Sequence, residues 1–307
     1  MTQETRDSFT DPRLAPPLPP QAPLRLFRHF VLLALTAYTM LLNGAGVASP
    51  GIAGERFFDR DLIDPSFLWL GVSYALALLA ILGAHEMGHY VACRIYRVDA
   101  SLPYFLPGPP APYGFLGTFG AFIRIRSRFT NRNALYDIGI AGPIAGLVVA
   151  IPVLLYGLAT AQTPEIGANM SRVDVPLLWR LLITFLPEVP EGHGRILSGP
   201  LLAGYIGCFA TALNLLPIGQ LDGGHVLYAL SARLHRTVSI LSLVALTIMG
   251  LFFSPFWMFF AALLVLVTPW HPPVLDETTP LSFGRRLVSF VGLCMLVFCF
   301  IVDPFGL

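Results

Sequence analysis

Long apolar stretches separated by short polar connections run through the chain from about residue 27 to its end. A helix needs about 20 mainly apolar residues to cross a bilayer. Stretches of that length, or nearly so, lie at residues 27–48, 66–92, 135–159, 199–217, 237–253, 255–270 and 287–302. Residues 176–187 are shorter and carry Arg180, which predicts a helix at the membrane interface. The pattern predicts an all-α polytopic membrane protein with about six to seven transmembrane helices.

Composition agrees with a membrane protein, because 55% of residues are hydrophobic, only 12% are charged, and the mean hydropathy is +0.69. A net charge of +1 offers no basic surface for nucleic acid, so nucleic acid is not expected as a partner. The four cysteines have neither the paired spacing of a disulfide framework nor that of a cysteine zinc site. We interpret them as packing residues.

The arginines predict the orientation in the membrane, because cytoplasmic loops carry an excess of positive side chains. All 19 basic residues are arginines. With the N-terminus inside, only a minority fall on the outer side, namely Arg56, Arg60, Arg172, Arg180 and Arg195. We therefore expect an N-terminus on the cytoplasmic side, and the membrane is expected to be a bacterial inner membrane.

A metal-binding pattern, His-Glu-Met-Gly-His, occupies residues 85–89 at the end of the second apolar stretch. Histidines four residues apart face the same side of a helix and can share a metal ion, and Glu86 beside His85 can act as a base on water at that metal. The alternative is a helix in which His85 and His89 are satisfied by hydrogen bonds. About twenty helical residues from Ser66 rise about 30 Å, which places the pattern near the inner membrane boundary.

A site with two histidines needs a third protein ligand, usually Asp or Glu. Asp222 is the candidate, because it lies about as far along its own segment from the outer side as His85 does. Proline and glycines from Pro217 to Gly224 predict a break in this metal-ligand helix, which at membrane depth must be buried in protein or line a wet cavity. The alternative role for Asp222 is to cap the helix that restarts at Gly223. Stabilisation of a helix N-terminus is sufficient to explain Asp137.

With these residues in place, the chain resembles the site-2 protease family of intramembrane zinc metalloproteases. The two motifs of that family are His-Glu-x-x-His and Asn-x-x-Pro-x-x-x-x-Asp-Gly. The second motif matches at Asn214, Pro217, Asp222 and Gly223, and the resemblance extends roughly from Ser66 to Leu230. The interval of residues 160–198 is too short for a PDZ domain, which indicates the compact branch without one. Residues 117–126 are similar to the plant chloroplast branch and its bacterial relatives.

The resemblance implies one Zn²⁺ per chain, bound by His85, His89 and Asp222, with Glu86 as the catalytic base. It also implies that Asn214 holds the substrate backbone, although a hydrogen bond between helices is the alternative role for this amide. The implied function is hydrolysis of peptide bonds in or near transmembrane segments of membrane-protein substrates, as in regulated intramembrane proteolysis. The implied partners are such substrates and the lipid bilayer. A catalytically silent membrane chaperone or scaffold, and a metal or proton transporter, are the alternatives. Candidates for stabilising the oxyanion are Arg124, Asn214 and His225.

Residues 102–127 predict a small membrane-associated β-hairpin or strand. Closely spaced prolines exclude a long helix, and Ile123 and Ile125 then alternate with arginines. The strand edge is a candidate for pairing with an extended substrate, with Gly117 and Gly120 allowing close backbone approach. The alternative is a cytoplasmic hairpin whose arginines meet lipid headgroups.

The chain is expected to divide into four parts. Residues 1–25 are rich in proline and polar side chains, which predicts a disordered tail. Residues 26–65 hold the first transmembrane helix and an outer loop, 66–235 the catalytic membrane core, and 236–307 the C-terminal transmembrane helices.

Overall fold

The computed structural model describes residues 23–49, 64–109, 116–167, 173–267 and 271–304. Most of these residues are helical. The helices are α1 Pro23–Ala48, α2 Pro65–Leu70, α3 Val72–Ile95, α4 Arg132–Thr160, α5 Leu177–Ile183, α6 Gly199–Leu215, α7 Asp222–Leu230, α8 Ala232–Phe252, α9 Pro255–Val267 and α10 Phe283–Cys299, and the strands are β1 Tyr104–Pro107 and β2 Thr118–Phe122. The predicted disordered tail, apart from its last residues, and most of the predicted outer loop lie outside the described residues.

In the described ranges, four helices are long and apolar enough to cross a membrane: α1 from Leu26, α3, α4 and α8. The mostly helical membrane protein is confirmed, but six to seven spans are not supported. The difference arises because α6 and α9 are apolar but short. At 1.5 Å per residue, the 17 residues of α6 rise about 26 Å, less than a hydrocarbon core of about 30 Å.

Helix α4 lies at the centre of the fold and packs against α3, α6 and α7. Small residues allow the close approach of α3, since a Cβ added at Gly88 would lie 2.5 Å from the Ala141 carbonyl oxygen and 2.9 Å from the Ala145 Cβ. On the facing side, Gly142 and Gly146 contact the two histidines of α3. The packing face around Gly142 and Gly146 therefore lies directly over the candidate metal ligands.

An ion pair ties the C-terminal helix to this core. The Arg285 guanidinium in α10 donates from Nε and Nη2 to the Asp137 carboxylate in α4, at 2.8 and 2.7 Å. The Tyr96 hydroxyl, just after α3, donates to the same carboxylate. The helix-end explanation of Asp137 is thus wrong, because Asn131 caps α4 with its side chain and Asp137 pairs with a cation.

The connection before α10 returns to the start of α4. The Asp276 amide donates to the Thr130 carbonyl at 3.0 Å, and the Asp276 carboxylate accepts hydrogen bonds from the Thr278 and Thr279 hydroxyls. These bonds, led by that of Thr278, lower the pKa of Asp276 to about 2.

The two strands form an antiparallel hairpin in which Tyr104 pairs with Phe122. The prediction of a hairpin or strand in this segment is confirmed, but its position is corrected. Strand β1 lies within the proline-rich stretch, and β2 ends before Ile123, which sequence alternation had placed within the strand. The hairpin is held by helices, because Thr39 Oγ1 in α1 donates to the Gly117 carbonyl at 2.6 Å.

Candidate metal centre

Helix α3 carries three of the predicted site residues on its buried surface. His85 is 6% exposed, and Glu86 and His89 are each 7% exposed. Because residues 85 and 89 are one helical turn apart, their rings meet, with 4.8 Å between centroids. The sequence spacing therefore produces a pair of imidazoles beside a buried carboxylate.

Asp222, the first residue of α7, closes the group. Its Oδ2 lies 3.1 Å from His85 Nε2, and its Oδ1 lies 3.3 Å from His89 Nε2. The two Nε2 atoms are themselves 3.1 Å apart. Asp222 does begin a helix, as its alternative role required, but its carboxylate points at both rings.

The spacing of the two imidazole nitrogens and the carboxylate fits a zinc ion. Zn–N and Zn–O bonds of about 2.0–2.1 Å in a tetrahedron separate neighbouring ligand atoms by about 3.4 Å. The observed separations of 3.1 to 3.3 Å need only small adjustments to reach that value. Two imidazoles and one carboxylate also form a donor set that leaves a fourth position for water, as in catalytic zinc sites. His85, His89 and Asp222 therefore fit the metal that the sequence predicts.

The orientation of His89 is fixed by α4. Its Nδ1 donates to the Ile138 carbonyl at 2.7 Å, which leaves the lone pair on Nε2 for a metal. The ring lies against Gly142, where an added Cβ would stand 2.5 Å from two of its carbons. The Ile138 carbonyl and the absence of a side chain at Gly142 together determine the position of His89.

Two further polar groups border the donor atoms. The Asn214 amide, near the end of α6, lies 3.3 Å from His85 Nε2. The Glu86 carboxylate interacts electrostatically with His89, with Asp222 and with the backbone amide of Ile123, the residue after β2. The β-hairpin therefore reaches the carboxylate beside the histidine pair.

The predicted break in the metal-ligand helix is present between the end of α6 at Leu215 and the start of α7 at Asp222. Two of its backbone carbonyls accept hydrogen bonds from side chains of α8, a helix outside both sequence motifs. Ser239 Oγ donates to the Pro217 carbonyl at 3.1 Å, and His235 Nε2 donates to the Gly219 carbonyl at 2.9 Å. The irregular segment is thus buried in protein, one of the two settings expected at membrane depth.

The remaining candidates lie away from the donor atoms. His225 contacts His271, with 2.7 Å between Nδ1 and Nε2, in a second histidine group that also includes His235. Arg124 follows β2 and is exposed. Of the three oxyanion candidates, Asn214 is the one whose side chain lies within hydrogen-bond distance of a candidate metal ligand in the described part of the chain.

The two hairpin glycines have different surroundings. Gly117 has a φ of +67° and is buried against α1, where an added Cβ would lie 2.6 Å from the Thr39 carbonyl oxygen. Packing therefore accounts for Gly117, and its role in substrate binding stays a prediction. Gly120 has a φ of +94°, and apart from its chain neighbours no atom of the described residues lies within 4 Å of an added Cβ. This second glycine leaves space beside the strand.

Comparison with known proteins agrees with the geometry. The sequence profile of peptidase family M50 matches residues 73–255, more than half of the chain. The chain is 28% identical over 251 residues to "Probable zinc metalloprotease EGY1, chloroplastic" of Arabidopsis thaliana, which covers 78% of this chain and 44% of that protein. It is 28% identical over 280 residues to "Probable zinc metalloprotease EGY2, chloroplastic" of Oryza sativa subsp. indica, which covers 88% and 49%. The chain thus spans less than half the length of these relatives.

Proposed function

Because the chain belongs to peptidase family M50, the site-2 protease family, we propose that it is a zinc metalloprotease that hydrolyses peptide bonds in or near transmembrane segments. The observation that carries this proposal is the convergence of His85, His89 and Asp222 beside the buried Glu86. A soluble protease would not need such a site on an apolar helix long enough to span a membrane.

In this proposal one zinc ion per chain is held by His85 Nε2, His89 Nε2 and Asp222. When bound, zinc polarises a carbonyl and lowers the pKa of water in its fourth position to about 7. Asp222 stands at the start of α7, where the positive end of the helix dipole favours a charged carboxylate. The metal-binding form of Asp222 is therefore supported by its own helix.

Glu86 is the catalytic base. It accepts a proton from the attacking water and delivers it to the leaving amine, which requires a carboxylate held beside the scissile bond. Its burial on α3, 7% exposed, limits its movement beside the two histidines. Asn214 is placed to bind the substrate backbone, because its amide lies 3.3 Å from His85 Nε2, beside the donor atoms.

The substrates are membrane proteins whose transmembrane helix is locally unwound. A regular helix hides its carbonyls in internal hydrogen bonds, so segments weakened by glycine or proline are favoured. The space at Gly120 leaves room for such an extended segment along the hairpin. Cleavage of this kind is the chemistry of regulated intramembrane proteolysis.

The proposal also covers the number of helices in the membrane and the side that the metal centre faces. The shorter apolar helices α6 and α9, together with the 17-residue α10, lie at membrane depth beside the four longer ones and bring the total to about seven. The N-terminus and the metal centre face the cytoplasmic side, by the distribution of arginines. The relatives above are chloroplastic by name. A bacterial inner membrane therefore stays a prediction.

The proposal is tested with purified protein in detergent and two single-span substrates, one with a Gly-Pro pair in its helix and one with leucines there. Glu86→Gln is expected to abolish cleavage while zinc content, measured by atomic absorption, stays at one per chain. Glu188→Gln makes the same change at an exposed position and keeps full activity. Undiminished cleavage by Glu86→Gln would remove this residue from the mechanism. Bound zinc without cleavage of either substrate would instead favour a scaffold.

A further inference from the structure

A groove of about 770 Å³ lies between the first turns of α1 and the β-hairpin. Its walls are apolar and aromatic, and they are formed by Phe27, Val31, Leu32, Tyr104 and Phe122. Two arginines, Arg28 and Arg124, complete the lining. We call it the α1–hairpin groove.

The walls of the α1–hairpin groove are held by specific contacts. His29 is buried, donates from Nδ1 to the Pro103 carbonyl at 2.9 Å, and stacks on Tyr104 with ring centroids 3.9 Å apart. Tyr104 in turn stacks on Phe122 at 5.5 Å. The Arg124 backbone is anchored as well, because its amide donates to Ser101 Oγ at 2.9 Å. The groove is therefore a formed feature of the fold.

Two arginine side chains stand at the rim of the α1–hairpin groove. Both are exposed, and neither guanidinium makes a side-chain hydrogen bond or an ion pair with another residue in the described part of the chain. A guanidinium donates paired hydrogen bonds to phosphate oxygens, so two of them at one rim form a suitable site for an anionic phosphate group.

The position of the groove relative to the membrane identifies its occupant. The apolar window of α1 begins at Leu26, so Phe27 and Arg28 stand where the helix reaches the bilayer surface. Phe27 is 68% exposed. A ligand here meets an apolar trough on the bilayer side and cations at its rim. That combination matches an anionic phospholipid, whereas an acidic peptide would leave the trough unfilled.

We propose that the α1–hairpin groove binds one anionic phospholipid, with an acyl chain along the apolar wall and its phosphate between Arg28 and Arg124. The lipid bridges α1 and the hairpin, whose following residue Ile123 interacts with Glu86. Binding does not depend on catalysis or on zinc. The proposal therefore stands or falls separately from the proteolytic function.

Native mass spectrometry of the purified full chain tests it, with phosphatidylglycerol or phosphatidylcholine of identical acyl chains added to the detergent. The wild-type protein is expected to prefer phosphatidylglycerol. Arg28→Gln and Arg124→Gln should each reduce that preference about fivefold. Arg286→Gln, the same change at an exposed arginine outside the groove, should not. Val31→Trp fills the trough and should weaken binding of both lipids while the arginines remain.

Each variant is first checked for a single symmetrical elution peak, and a variant that fails is replaced by the alanine substitution at the same position. Equal binding of the two lipids by the wild type, or an unchanged preference after both arginine substitutions, would overturn the proposal. Displacement of the lipid by an acidic peptide would assign the groove to a protein partner. Displacement by millimolar inorganic phosphate alone would show that the acyl chain is not bound.

Discussion

Gly142→Ala is expected to weaken zinc binding by about 10- to 100-fold, because the methyl group would occupy the space of a metal ligand. In the native fold the His89 ring lies against the bare Cα of Gly142, on the central helix α4. The ring cannot rotate away without losing the hydrogen bond from His89 Nδ1 to Ile138. The substitution therefore changes the geometry of the site without removing any of the three ligand side chains.

The magnitude follows from the distances. An added Cβ at Gly142 would stand 2.5 Å from both Cδ2 and Cε1 of His89. Carbon atoms in contact are normally about 3.5–4.0 Å apart, so the ring or the helix must move by at least about 1 Å. Overpacking of this kind costs about 1–3 kcal/mol of stability. A displacement of 1 Å is also enough to spoil a tetrahedral site whose bonds are defined to about 0.2 Å.

Zinc affinity is measured by competition with a chromophoric chelator, and stability by thermal unfolding in the same detergent. Gly83→Ala is the matched control, since it lies on α3 two residues before His85, and its added Cβ would meet only Phe105, at 3.8 Å. Both substitutions gain about 1 kcal/mol of helix propensity, so any difference between them comes from the contact with His89. Equal zinc affinity for Gly142→Ala and Gly83→Ala would refute this account of the site.

Three further predictions concern stability. Arg285→Met leaves the Asp137 carboxylate without its cation and should lower the free energy of unfolding by about 1–3 kcal/mol; Arg286→Met is the control, and equal melting temperatures would contradict the prediction. The low pKa of Asp276 means that this group stabilises the fold above its ordinary pKa of about 4 and loses that contribution as the pH falls through about 2. Between pH 4 and 2 the melting temperature should therefore fall less steeply in Asp276→Asn, and parallel curves would exclude the effect. Zinc at about 1,000 times its dissociation constant should stabilise the folded protein by about 4 kcal/mol. A chelator should remove this gain, and Asp222→Asn should lack most of it. A zinc-dependent shift of wild-type size in that variant would show that the carboxylate is not a ligand.

The parts of the site that depend on local periodicity could be predicted from the sequence. Two histidines one helical turn apart lie on the same face of a helix, whatever that helix packs against. The depth of Asp222 in the membrane follows from counting residues along its segment. The arrangement of Asp137 could not be predicted in this way. Its partner Arg285 lies 148 residues later in the chain, and a half-buried carboxylate near a helix start carries no local sign of an ion pair.

The β-hairpin shows a second limit of prediction from the sequence. Alternation of isoleucine with arginine after Phe122 predicted a strand there, but strand propensity depends strongly on packing. In the fold, β2 lies earlier in the sequence than this alternation predicts, because its partner β1 and helix α1 lie beside residues 118–122. Thr39 is hydrogen-bonded to Gly117, and His29 is stacked on Tyr104. These tertiary contacts override the local preference, and prolines flanking β1 do not prevent its pairing at an exposed edge.

The break between α6 and α7 explains why a site of this kind needs so much of the chain around it. In this fold the carboxylate that meets the two imidazoles of α3 stands at a helix start, because the turn at residues 216–221 ends α6 and α7 begins at Asp222. That turn exposes backbone carbonyls, which would be unfavourable in lipid without partners. Ser239 and His235 supply those partners from α8, outside both sequence motifs. Helix α8 is thus part of the physical basis of the metal centre although it contributes no ligand. The candidate metal centre therefore depends on residues that supply none of its ligands.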